Sequence, residues 1–405
     1  MLLCQVCSYW RQVALSVAVL WSSFDFVLTY ETKWSHVALL QRWLTRSRTH
    51  PISFSLIPTR RAAALRKALF ANVQRWRHIQ FRLDAELGQD FLKIDAEQAH
   101  LLERVSMTID PRNWEDERLP SILASFPCLH HLQWTGKYIP ATFVNTLWPR
   151  LSHIKLVACV ISTSDFLALL SHCPTVEHIE AHRPLKSLGS PPAGPSITVP
   201  NLQSLAFWAD DPGEILDNLT LPCLRSLTTQ PPRDPKALQR LDYRSSCKLE
   251  AFEMTDYGLT DDDALLYLRL PCMQSLRSLK LGSGAVTDRL VELLTWNPSS
   301  HADRVCALPR LTHLTLNMWK TTDGKVGEMI SSRWHHDDHY SDHPVSLMDL
   351  DLDYEPDDYL IEDRLISKGV EHHALDFTRF EQLAAHGLEI TWHCSCFTSW
   401  DYIRT

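Results

Sequence analysis

The spacing Leu-x-x-Leu-x-Leu, or a close relative of it, occurs nine times between Leu129 and Leu352. The copies begin at Leu129, Leu151, Val176, Leu202, Leu224, Leu249, Leu276, Leu311 and Leu347. The first seven stand 22 to 27 residues apart, and the last two intervals widen to 35 and 36. A period of this size marks stacked repeats, each too small to bury its apolar face alone. The expected fold is α/β: a leucine-rich-repeat-like solenoid with one parallel strand and one helix per repeat. Such a stack offers a broad binding surface rather than a catalytic cleft.

Local patterns fill in the strands and helices. Trp76 to Leu83 alternates apolar and polar residues, as a half-buried strand does, and Leu102, Val105 and Met107 look like the next one. Ser162 to Asp165 is a capping-box pattern before Phe166, Leu169, Leu170 and Cys173, a helical stripe. Thr260 before Asp261, and Thr287 before Asp288, read as further helix starts with acid in the first turn. Arg60 to Gln74 is rich in helix formers. Insertions are expected as loops at 184–200, rich in Pro and Gly, and at 297–309 and 327–344. The organisation reads as a segment 1–30, a helix-and-strand entry 31–100, and the repeat stack 101–405.

Composition excludes several function classes. No apolar run approaches the length of a membrane span, and Val13 to Trp21 lacks the flanks of a secretory signal. Eleven cysteines, an odd number at uneven spacing, fit reduced thiols of a cytoplasmic or nuclear protein rather than a disulfide framework. Net charge is −8, yet 11 acidic and no basic residues fall between His335 and Asp363, so the remainder is near +3. No basic block of nucleic-acid type exists. No G-x-S-x-G, Walker loop, H-E-x-x-H or kinase set occurs, so no catalytic residue and no cofactor is expected.

The N-terminus carries a second signal. Val6-Cys7-Ser8-Tyr9-Trp10-Arg11 is followed by Ala14-Leu15-Ser16 and then Leu20-Trp21. This resembles the second half of an F-box, in wording close to the large F-box family of mushroom-forming fungi. Those proteins continue with a helix and a short strand, as Trp34 to Arg48 and Pro51 to Leu56 do here. The first half of the F-box, a Leu-Pro-x-Glu-type helix, is missing, since Met1-Leu2-Leu3 already lies in the second helix of the pattern. The resemblance implies a short helical F-box remnant whose Val6, Trp10, Leu20 and Trp21 contact a Skp-type adaptor in a cullin complex. It implies a substrate-recognition subunit of an SCF-type ubiquitin ligase. Two alternatives remain: an interaction scaffold with a degenerate F-box and no ubiquitin role, and, more distantly, a metal-dependent enzyme.

Alternation also places the working surface. With the motif leucines inward, their neighbours line the concave face. One column there reads His131, His153, His178, Ser204, Ser226, Ala251, Ser278, His313, Asp349. Three consecutive histidines at strand spacing are zinc-type ligands in principle, although His commonly fills such a slot without a metal. Trp208 is a candidate aromatic anchor. Asp349, Asp351 and Asp353 imitate the start of a calcium loop, but Tyr354 and Leu360 stand where it needs Gly and Glu. The better reading is an acidic end that attracts a basic segment of a target protein.

Overall fold

The structure, a computed structural model, describes residues 3–27, 34–57, 63–109, 116–187, 196–254, 259–282, 286–296, 307–317, 319–334, 346–354 and 373–394. Chain contacts divide it into two units, Met1–Ala193 and Gly194–Thr405. In the first unit seven strands run parallel in chain order. They are β1 (Ser23–Val27), β2 (Ile52–Ile57), β3 (Trp76–Leu83), β4 (Arg104–Ile109), β5 (His131–Gly136), β6 (His153–Val157) and β7 (His178–Leu185). Each pairs only with its sequence neighbours in that ladder. A short helix or turn separates every pair of strands, the geometry a parallel connection demands. The ladder therefore begins at Ser23, well before the first Leu-x-x-Leu-x-Leu copy.

The second unit repeats the scheme. Its strands are β8 (Ile197–Thr198), β9 (Ser204–Ala209), β10 (Leu219–Thr220), β11 (Ser226–Thr228), β12 (Ala251–Met254), β13 (Ser278–Leu281), β14 (His313–Asn317), β15 (Asp349–Tyr354) and β16 (Glu389–Cys394). β9 and β11 to β16 form one parallel ladder, and β8 pairs with β10 apart from it. Both units are thus α/β stacks of leucine-rich-repeat type, with one strand and one helix or turn per repeat.

Register explains the core. Leu132, Ile154 and Ile179 are aligned neighbours, as are Leu205, Leu227, Phe252, Leu279, Leu314 and Leu350. All of them are essentially fully buried. Each repeat thus supplies two apolar side chains to a shared spine and leaves the alternate residues on the open face of the sheet. At the start of the first unit aromatics take over that spine. Phe24 stacks on Phe54 at 5.8 Å, Phe54 meets Phe81 at 5.4 Å, and Phe81 meets Phe91 at 6.1 Å.

Helix starts follow the sequence with one exception. Ser162 Oγ accepts the Asp165 N–H at 3.0 Å, and Thr260 Oγ1 accepts that of Asp263 at 3.2 Å. Thr287 makes no such cap; its hydroxyl donates to Asp261 Oδ1 of the preceding repeat at 2.7 Å. The expected loops are also partly structured. Residues 327–333 belong to the helix Lys325–Arg333, because Val326, Met329 and Ile330 form a buried stripe. Pro184 and Leu185 end β7, and Ile197 and Thr198 form β8, with Leu185 and Val199 buried. Leu308 is buried as well. The centres of the three insertions lie outside the described residues.

Helix ends show a device that the sequence does not announce. The last carbonyls of a helix lack partners within it, and three arginines reach back to supply one. Arg75 donates to Leu44 O at 3.3 Å and Ser47 Oγ at 2.5 Å, beyond the helix Trp34–Arg46. Arg244 donates to Leu216 O at 2.6 Å, the last residue of Pro212–Leu216. Arg333 donates to Leu294 O, the last residue of Asp288–Leu294, to Leu308 O at 3.0 Å and to Ala307 O.

Candidate functional site

Two kinds of surface stand out, an exposed apolar N-terminus and the open faces of the two ladders. At the N-terminus, helices Leu3–Val6 and Ser8–Ser16 precede a 3-10 turn, Ala18–Trp21. Cys7 is the N-cap of the second helix, its sulfur accepting from Trp10 N–H at 3.5 Å. Of the predicted adaptor contacts, Val6 is 65% exposed, Trp10 45% and Leu20 43%. Trp21 is not a surface contact. It is buried, its indole N–H donates to Ala14 O at 2.7 Å, its ring meets Trp43 at 5.5 Å, and Arg46 lies over it at 4.2 Å. It pins the helical cap to the following helix. Tyr9, Leu15, Val17, Val19 and Leu39 are exposed beside the predicted three. Eight of the fourteen exposed large apolar residues among those described therefore fall between 6 and 39. Concentration of this kind, and not scattered apolar residues, is what singles out a candidate interaction surface.

On the open face of the first unit, His131, His153 and His178 are aligned neighbours, as expected, and the column continues backwards through Arg104 to His78. The rings of His131 and His153 stack at 3.8 Å with 12° between planes, and His153 and His178 at 4.4 Å with 21°. Face-to-face stacking holds the ring nitrogens in parallel planes, so their lone pairs do not converge on one ion as zinc ligands must. Burial, and then the like charges of His153, Arg104, His130 and His78, push His131 down to about 4. His153 is lowered by burial and by His178, with Glu177 opposing. Both shifts keep the His131 and His153 rings neutral at neutral pH. Beside it Glu180 bridges Lys155 at 2.8 Å and His182 at 3.0 Å.

On the open face of the second unit, Trp208 is half-buried on β9. Asp349 and Asp351 are half-buried on β15, next in register to His313 and Thr315. Thr391 Oγ1 on β16 donates to Asp351 Oδ1 at 3.4 Å. The side chain of Asp353 lies outside the described residues.

Among the described residues, one set of three metal-type ligands comes together: Asp323, His373 and Asp376. Its hydrogen bonds account for it. Asp323 accepts the N–H groups of Leu375 and Asp376 at 3.0 and 3.1 Å, capping the helix Ala374–Ala385. The fully buried Asp376 accepts Gly327 N–H at 2.7 Å and pairs with His373 Nδ1 at 3.0 Å. A carboxylate so employed joins two helices, and three residues this far apart in sequence gave no signal of it. No helix among the described residues is long and apolar enough to cross a membrane.

Comparison with known families accords with this geometry. Residues 96–261 match a family described as "FBD-associated F-box protein At5g56370, LRR repeats". The match runs from just before β4 to the first residue of the helix Asp261–Leu268. This stretch is similar to the leucine-rich repeats found in F-box proteins. No curated protein matches the chain.

Proposed function

We propose that this chain is the substrate-recognition subunit of an SCF-type ubiquitin ligase. The N-terminal apolar surface, which includes Val6, Trp10 and Leu20, docks on a Skp-type adaptor held by a cullin. A target protein binds the open faces of the ladders. In the second unit Asp349, Asp351 and Asp353 receive a basic segment, with Trp208 as an aromatic anchor on the same face. The subunit needs no catalytic residue. It raises the effective concentration of a target lysine near the charged conjugating enzyme, which turns a bimolecular encounter into a nearly intramolecular one.

The observation that carries this reading is the clustering of exposed apolar side chains at residues 6 to 39, beside a leucine-rich stack whose motif leucines are buried. The likeness of residues 96–261 to F-box-associated repeats supports it. The test is co-expression with a Skp-type adaptor followed by affinity purification. The wild-type chain retains the adaptor, and Val6→Asp with Leu20→Asp releases it while the repeats keep their urea transition. A wild-type chain that never retains the adaptor refutes the ligase role.

A further inference from the structure

Arg104 is exposed on β4 and forms no ion pair among the described residues. In register it lies between His78 and His131, and the column goes on to His153 and His178. Acids on the same face are largely committed. Glu103 is held by Arg77 at 3.0 Å and His78 at 3.3 Å, and Glu180 by Lys155 and His182. The column thus presents one unneutralised cation flanked by groups that become cations on protonation. Five strand positions about 4.8 Å apart span about 19 Å, the length of roughly six extended residues.

Resting on the target-recognition reading above, we propose that this column seats an acidic segment of the target, whose carboxylates pair with Arg104 and draw protons onto the flanking imidazoles as they bind. In the free chain, protonation of the stacked rings is opposed by their burial and by each other. Arg104, His78, His130 and His178 repel added positive charge, and only Glu177 favours it. A docked carboxylate reverses the sign of the local field and adds charge-assisted hydrogen bonds. A basic segment would meet Arg104 with no counter-charge and is excluded by the same field. By linkage, a ligand that raises the affinity for protons binds more tightly as protons become available. Affinity therefore rises as pH falls towards 6, where the target's glutamates are still ionised.

The test uses the full chain and fluorescein-labelled octaglutamate, followed by fluorescence anisotropy at pH 7.5 and 6.0. Wild type binds at least about fivefold more tightly at pH 6.0. Arg104→Gln weakens binding about tenfold at both pH values, and Arg104→Lys restores most of it. The double change His131→Gln with His153→Gln reduces the pH dependence, and adding His78→Gln reduces it further. Equal binding by wild type and Arg104→Gln, or a pH-independent affinity, overturns the proposal. Adaptor capture is measured on the same samples. If octaglutamate fails to bind while the adaptor is captured, this surface is wrong and the receptor reading stands. If the adaptor is lost while octaglutamate binds as described, the receptor reading fails and the acidic-segment site stands.

Discussion

Replacing Arg333 by Met tests whether the arginine reaching back to the previous repeat is what joins the repeats at their helix ends. The Arg333 side chain is fully buried and donates to Leu294 O, Leu308 O and Ala307 O. Methionine approximates its stem and fills most of the space, so the change removes donors more than volume. Leu294 and Leu308 are buried, and their carbonyls lose a charged donor, at about 1–2 kcal/mol each. Ala307 is half-buried, so water recovers much of the third bond. Against this, the variant no longer buries a guanidinium, which offsets part of the loss. The expected net destabilisation is about 3 kcal/mol, or roughly a hundredfold in the local opening equilibrium. Repeats couple mainly to their neighbours, so the effect is local. Hydrogen exchange read by mass spectrometry checks it: amides of His313–Asn317 and Lys325–Arg333 exchange about a hundredfold faster, while those of β5 and β6 keep their rates. A variant within about 0.5 kcal/mol of wild type, with unchanged exchange in those segments, refutes the reasoning.

Leu279→Ala removes a spine side chain that is 1% exposed, and costs about 2–5 kcal/mol in urea unfolding. Its neighbour Lys280, paired with Glu253 at 3.0 Å on the open face, costs no more than about 1 kcal/mol on change to Ala; equal losses at both positions would contradict the inward–outward assignment. His131 supplies a pH prediction. Its folded value of about 4 lies below the unfolded 6.5, so only the unfolded chain gains the proton as pH falls through that window, and stability drops with it. Allowing for the half-buried setting, wild type loses about 1 kcal/mol more than His131→Gln between pH 7 and pH 5, read from paired urea curves.

What the sequence determined by itself is the repeat. Strand alternation depends on neighbours one or two residues apart, and helix starts on three, so Trp76 to Leu83, Ser162 to Asp165 and Thr260 to Asp263 could be read directly. The same alternation placed His131, His153 and His178 in one column and Asp349 and Asp351 in another. Tertiary structure alone decided what each polar residue does there. The histidines stack on one another instead of converging on a metal, because parallel register superimposes their rings. Trp21 is buried because Trp43 and Arg46, on a helix beyond a separate strand, close over it. Thr287 serves Asp261 in place of its own helix, and Arg75, Arg244 and Arg333 serve helix-end carbonyls, Leu44, Leu216 and Leu294, that lie 28 to 39 residues behind them. Pattern is set by the spacing of bonds along the chain, whereas partners are set by which repeat lies above which, and only the packed stack brings those residues within reach.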